Sequence, residues 1–465
     1  MPPVSRHPRQ TLNERRQWAR RFGESVRSAS EEFVELVHEE IGKPRHETIT
    51  AEILPLVSSC TWHARNAGRI LKPRGLGRRP WWLLGQKHRL HHAPLGRVAI
   101  IATWNYPVQL LGIQMVQAAV AGNTITVKPS EHAPRTQQKL LELAREAGLS
   151  IEELDWTEAT REAGAALLTE HDFDHVIFTG STTVGRRIAE ECAANLTAST
   201  LELSGRDSAF VLADADPDLA ARTIWAAVAT NAGQTCMAPR RALVHRDCYQ
   251  QFCDALIPLA AGATPRKLVL DSEAPRIHKL VEDAVRAGGR TATGILEPLD
   301  AEQFRPAAVL DCPGTAELVS GDFFGPAIAV VPFDDLQDAM AIHQSADQHL
   351  ATSVYTRNPG NVPSLLGDLE SSTVTINDSL VPTAHPAASI CGHGRSGWGA
   401  SRGRRGLLAM TRPVHLARTS PRMRIPATPP DQRALSILER LIGIPRRPKS
   451  KSSQTDRTSS TRISP

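Results

Sequence analysis

Thr200-Leu201-Glu202-Leu203-Ser204-Gly205-Arg206 opens a stretch that closes on Gly233-Gln234-Thr235-Cys236-Met237-Ala238-Pro239. Between them Ala209-Phe210-Val211-Leu212 reads as a strand, and residues 217 to 231 read as a helix that begins on Pro217. A strand-helix-loop unit returns the chain on itself, so Glu202 and Cys236 are expected to face one pocket. A thiol nucleophile needs such a partner to handle protons. A lone cysteine is most often a small buried hydrophobe, and the case for Cys236 rests on what surrounds it.

Upstream, the pattern is regular. Val98-Ala99-Ile100-Ile101-Ala102 is a short apolar run, as expected of a strand buried on both faces. A helix over 107–121 follows, with Pro107 at its start and Gly122-Asn123 at its end. Strand 124–128, helices 135–148 and 161–169, strand 175–179, helix 183–195 and strand 200–203 complete the alternation, which predicts a parallel sheet with helices on both faces. Further upstream, residues 12–42 carry apolar side chains at a helical period, and a second helical stretch runs from 47 to 70. Residues 75–94 read as two extended pieces around a turn. Past Cys236 the pattern is looser, with strands at 241–244, 327–332 and 373–376 and helices at 249–260 and 278–287.

A parallel sheet binds ligands beyond the C-terminal ends of its strands. Those ends carry Thr103-Trp104-Asn105-Tyr106-Pro107, Lys128-Pro129-Ser130-Glu131, Gly180-Ser181-Thr182-Thr183-Val184-Gly185 and Ser204-Gly205. A glycine-flanked helix N-terminus suits a pyrophosphate, and a Lys and Glu three residues apart suit a ribose diol. The formal G-x-G-x-x-G at Gly392-His393-Gly394-Arg395-Ser396-Gly397 follows no convincing strand and opens no clear helix, so it is set aside as a dinucleotide fingerprint.

At 465 residues, 41% hydrophobic and 22% charged, the chain is long enough for two or three domains. Seven irregularly spaced cysteines and no apolar leader point to reduced thiols and a cytoplasmic location. No run of apolar residues is long enough to span a membrane, and no membrane association is expected. From Arg418 onward 11 Lys and Arg face 3 Asp and Glu, which leaves residues 1–417 at −3 of the whole chain's +5. This tail has no interleaved aromatics, so it reads as a solvated end and not as a nucleic-acid platform. His88-Arg89-Leu90-His91-His92 lacks a neighbouring Cys or carboxylate, and no metal site is expected.

Six motifs in fixed order carry a resemblance: Trp104-Asn105-Tyr106-Pro107, Lys128-Pro129-Ser130-Glu131, Phe178-Thr179-Gly180-Ser181, Leu201-Glu202-Leu203-Ser204-Gly205, Gly233-Gln234-Thr235-Cys236 and Phe324-Gly325-Pro326. Together the stretch from Leu12 to Arg418 resembles the aldehyde dehydrogenase superfamily, most of all its class 3 branch of fatty, aromatic and coniferyl aldehyde dehydrogenases. The resemblance implies an α/β fold with two parallel-sheet, doubly wound domains plus a small β oligomerisation element. The expected divisions are 1–74 and 95–203 for the cofactor, 204–399 for catalysis, 75–94 and 400–418 for oligomerisation, and 419–465 as tail. It implies oxidation of a small-molecule aldehyde to a carboxylic acid, with Cys236 as nucleophile, Glu202 as general base and Asn105 as oxyanion donor. NAD is the implied cofactor, with NADP also admitted. Its contacts map onto Thr103, Trp104, Lys128, Glu131, Gly180, Ser181, Thr182, Val184, Gly185, Leu203, Asp322 and Phe324, and a homodimer is implied. Acylating or semialdehyde-specific members and a catalytically silent relative are the alternatives. Asp322, Ser204 and Cys391 depart from the family's usual Glu, Gly and Gly.

Overall fold

The structure is a computed structural model that describes residues 10–80, 83, 85–293, 303–420 and 430–445. Two sheets dominate it. One has six strands in the spatial order Gly397–Trp398, Ala198–Glu202, His175–Thr179, Arg97–Ile101, Thr124–Lys128, Leu154–Trp156. The other has seven, in the order Arg290–Thr291, Ala307–Leu310, Ala327–Phe333, Pro239–His245, Asp207–Val211, Ala351–Tyr355, Thr373–Ile376. All neighbours pair parallel except the outermost strand at the first-named end of each sheet. The expected α/β architecture with parallel sheets is therefore what the chain forms.

Several details differ from expectation, each for a local reason. The amphipathic run 12–42 is two helices, Leu12–Ser28 and Ser30–Ile41, because Ala29 breaks the backbone at φ −89° and ψ 15°. Thr11 and Glu14 close a reciprocal capping box at the start of the first. The second ends where Gly42 turns left-handed at φ 67°. Strands Leu154–Trp156, Ala307–Leu310 and Ala351–Tyr355 escaped the sequence reading. Their apolar runs are too short to separate from helix interior. The rejected glycine motif does have a structural job. Gly397, at φ 102°, lies against Leu201 so closely that a Cβ would collide with the Leu201 carbonyl, and Gly397–Trp398 then closes the edge of the strand that carries Glu202.

Among the described residues, 75–80, 83, 85–89, 416–420 and 430–445 fall in a second, smaller unit. A three-stranded sheet orders Arg74–Gly75, Gln86–Pro94 and Thr411–Thr419 side by side, so one strand of the expected hairpin pairs with a strand from the far end of the chain. Trp81, Trp82 and Leu84 of that hairpin lie outside the described residues.

Helix Gln109–Ala121 is buried along all 13 residues, which fits its continuous apolar sequence. Its expected start at Pro107 moves to Gln109, because the first N–H groups are met by a carboxylate from another element. Glu52, in the single π-helical turn Thr48–Ile53, accepts from Val108 N at 3.2 Å and Gln109 N at 2.8 Å. Fully buried Lys43 forms an ion pair with Glu52 and donates to the Asn105 carbonyl at 2.9 Å. Burial pushes both groups toward their neutral forms, and their mutual attraction opposes it. Lys43→Met would leave Glu52 uncompensated inside the core, and a loss of about 3–5 kcal/mol of stability is expected. A urea midpoint equal to that of the parent would refute this.

Candidate active site

The loop before Cys236 is built from unusual backbone. After helix Pro217–Ala229, Asn231, Ala232 and Gly233 are all left-handed, at φ 53°, 51° and 67°. A Cβ on Gly233 would collide with the Gly325 carbonyl, so this loop lies directly on the Phe324-Gly325-Pro326 turn. Buried Arg240 fastens the two together, donating to Gly233 O at 3.0 Å, Gly325 O at 2.8 Å and Thr235 O at 3.0 Å. Gln234 is held at both ends of its amide, by Asn231 O at 3.0 Å and Val269 N at 2.8 Å. Non-glycine residues at positive φ cost strain that the surroundings must offset, and these contacts do so.

Asn105 comes to the same loop from the first sheet. Its Oδ1 accepts from Thr103 Oγ1 at 3.0 Å and Tyr106 N at 3.1 Å, which orients Nδ2 onto Gln234 O at 3.1 Å. Asn231 Nδ2 returns to Asn105 O at 2.9 Å, and Tyr106 OH meets Thr235 Oγ1 at 2.6 Å.

Glu202 ends the strand Ala198–Glu202 and is buried. Its Oε2 accepts from Thr179 Oγ1 at 3.4 Å, and Thr179 in turn accepts from Gln114 at 3.0 Å. Its Oε1 is buried without a hydrogen-bond partner among the described residues. Burial pushes the Glu202 carboxyl above its usual range, while Ser401, Arg402, Thr179 and Gln114 pull it back. Three residues past Glu202, Gly205 N donates to Cys236 O at 3.3 Å, which joins the carboxylate's strand to the thiol's loop. Burial pushes the half-buried Cys236 thiol up to about 12, with Glu202 and Asp207 adding to the effect and Arg402 and Arg240 opposing it. Asn105, Glu202 and Cys236, drawn from three separate stretches of sequence, therefore meet in one region.

The expected cofactor residues from Thr103 to Leu203 lie along one edge of the six-stranded sheet, at the C-terminal ends of adjacent strands, while Asp322 and Phe324 come from the turn before strand Ala327–Phe333 of the seven-stranded sheet. Ser181 caps the 13-residue helix Thr182–Ala194 by accepting from Val184 N, and the other N–H groups of its first turn are free of intrahelical partners. Cβ atoms on Gly180 and Gly185 would collide with Phe178 and Leu203, so the turn packs tightly on the sheet. Lys128 Nζ lies 2.8 Å from Glu131. These donors, a free helix N-terminus beside a paired Lys and Glu, fit a dinucleotide. Trp104 packs edge-on to Phe324 with ring centroids 5.7 Å apart, which brings the last predicted contact to the first. Asp322 is exposed, and the Phe324 N–H donates to Glu273 at 2.8 Å.

Sequence reading missed several neighbours. Arg161 reaches Glu131 at 3.3 Å. Burial pushes the Glu131 carboxyl up, but Lys128 and Arg161 outweigh it and hold it at about 2. Gln348 donates to Thr182 Oγ1. Arg402, at φ 62°, is buried beside Glu202 and Cys236, donates to Thr383 O at 3.0 Å and leaves its Nε without a partner. Nothing in the periodicity around Ser401-Arg402-Gly403 announced an inward arginine. Two adjacent arginines, Arg240-Arg241, inside an apolar strand pattern were the one readable signal, since such cations are buried only where carbonyls or carboxylates await them.

Residues 5–416 match the family model described as the aldehyde dehydrogenase family. This chain belongs to that family. Among its relatives, this aldehyde dehydrogenase is 28% identical over 420 residues to a 4,4'-diapolycopene-4,4'-dial dehydrogenase of Cytobacillus firmus, covering 86% of this chain and 89% of the relative. It is 29% identical to a 4,4'-diapolycopene aldehyde oxidase of a Methylomonas species, covering 83% of this chain and 74% of the other. The solved aldehyde dehydrogenase of Mycobacterium tuberculosis complexed with NAD+ superposes with a TM-score of 0.82 at 25% identity, covering 90% of this chain and 87% of that one. The family assignment makes this protein an NAD(P)-dependent enzyme that oxidises aldehydes, in agreement with the resemblance read from the motifs. No described helix of this aldehyde dehydrogenase is long and apolar enough to cross a membrane.

Proposed function

We propose that this aldehyde dehydrogenase converts its substrate to a carboxylic acid through a thioester on Cys236. The observation that carries the reading is the meeting of Cys236, Glu202 and Asn105, joined by the Gly205–Cys236 and Asn105–Gln234 hydrogen bonds. Once its proton has passed to solvent, Cys236 attacks the aldehyde carbon as the thiolate, and the carbonyl π electrons become the oxyanion of a thiohemiacetal. One N–H of the Asn105 amide is committed to Gln234 O; the other, with the Cys236 backbone N–H, receives the developing oxyanion. The bound nicotinamide supplies the hydride acceptor. Glu202, whose Oε1 has no protein partner, then takes a proton from the water that hydrolyses the thioester. A base at this position favours water over coenzyme A as acceptor.

Lys128 and Glu131 are assigned to the adenosine ribose, Gly180 to Gly185 to the pyrophosphate, and Trp104, Asp322 and Phe324 to the nicotinamide end, with Thr103 and Leu203 as walls. Glu131, held ionised, repels a 2′-phosphate, while Lys128 and Arg161 soften that repulsion. Glu131→Gln is expected to raise kcat/KM for NADP relative to NAD by about tenfold. An unchanged ratio would move cofactor choice elsewhere. Arg402 favours the ionised form of Glu202. A base works only when deprotonated, so removing this cation raises the carboxyl further and moves the acid limb of thioester hydrolysis to higher pH. Arg402→Met is expected to show that alkaline displacement in kcat, and an unmoved limb would disprove the coupling.

We assign the six-stranded sheet to cofactor binding, the seven-stranded sheet to catalysis, and the three-stranded sheet to a homodimer contact. Two relatives named for diapolycopene aldehydes make long apolar aldehydes the first substrates to test. The deciding experiment follows NADH formation over apolar, aromatic and semialdehyde substrates without coenzyme A, with acid identified as product. A requirement for coenzyme A would overturn the hydrolytic reading.

A further inference from the structure

Helix Gln432–Leu441 lies in the tail, is capped by Asp431, and contains no buried residue. At a period of about 3.6 residues, Ala434, Leu435, Ile437, Leu438, Leu441 and Ile442 fall on one side. Gln432, Arg433, Ser436, Glu439 and Arg440 fall on the other. The five large apolar side chains of that set are all exposed, as is Ile444 just beyond. A helix of this length is marginal in water on its own, so its apolar side needs a surface to lie on. The surrounding sequence says of what kind. From Ser420 to the end, 10 Lys and Arg stand against 3 Asp and Glu, with no Phe, Trp or Tyr.

We propose that this helix is a docking surface for an anionic lipid bilayer, lying in the interface with its leucines and isoleucines among the acyl chains and Arg433 and Arg440 at the headgroups. Charge complementarity selects this partner. A nucleic acid would engage the cations but leave the apolar side uncovered, and no aromatic is present to stack on bases. A second copy would cover the apolar side but juxtapose two strongly basic tails, and three helical turns fall short of the roughly 1,200–2,000 Å² that stable interfaces bury. Such attachment departs from the sequence-based expectation of no membrane association, and the vesicle experiment decides between the two.

The test uses the full chain and sedimentation with vesicles of phosphatidylcholine alone or mixed with phosphatidylglycerol. Binding is expected to be about tenfold or more stronger on the anionic vesicles and to weaken as salt is added. The double variant Leu438→Glu, Leu441→Glu is expected to lose that binding about tenfold or more, while oxidation of a short, water-soluble aldehyde continues at the parent rate and shows the enzyme intact. Equal binding to both vesicle types, unchanged binding by the double variant, or a change of oligomeric state in the variant with vesicle binding retained would each overturn the proposal.

Discussion

Replacing Cys236 by alanine is expected to lower aldehyde-dependent NADH formation by about 10³–10⁶-fold, because no other group in the site can form the covalent adduct. The substitution removes one sulfur beside Met237, Leu350, Ala351 and Ile390, and leaves the hydrogen bonds of Gln234, Thr235 and Arg240 intact. Folding and dinucleotide binding should therefore persist, which a fluorescence titration with NADH checks. The other described cysteines offer no substitute. Cys60, Cys192, Cys248, Cys253 and Cys312 are buried, and Cys391 sits in the Ile390–Cys391 strand paired with Ala400–Ser401. If Cys236→Ala retained oxidation near the parent rate, the covalent route would be wrong.

Glu202→Gln separates the two halves of the reaction. Glutamine keeps an acceptor for Thr179 but cannot take a proton, so hydrolysis of the thioester is expected to slow by about 10²–10⁴-fold. Hydride release precedes that step, so rapid mixing should show a burst approaching one NADH per site, followed by near-arrest. Intact-mass measurement should find the acyl group on Cys236. The raised carboxyl of the parent adds a pH signature: hydrolysis rises with pH as Glu202 ionises, and this limb vanishes in the glutamine variant. A variant that turns over like the parent, with no burst, would remove Glu202 from the role of base.

Much of this was legible in sequence because the informative residues sit at strand ends. Val98 to Ala102, Thr124 to Lys128 and His175 to Thr179 are short buried strands whose alternation with helices gave a parallel sheet, and a parallel sheet dictates where to look. Asn105, Lys128, Gly180 and Glu202 follow from that rule alone. Arg402, Glu273 and Lys43 do not. Each acts across long sequence separations through a side chain whose partner is a carbonyl, a backbone N–H or a buried carboxylate, and no local period encodes such pairings.

The strand Gly397–Trp398 has a temporal meaning. Glu202 belongs to a strand whose outer edge is paired with Gly397–Trp398, near the end of the family domain, and Ser396 fixes the Ser204 carbonyl across 192 residues of sequence. A nascent chain still lacking that segment has a bare edge beside the carboxylate. Activity should thus emerge late in synthesis, after the C-terminal part of the domain has left the ribosome, and truncations short of Arg402 should yield protein that cannot complete a turnover.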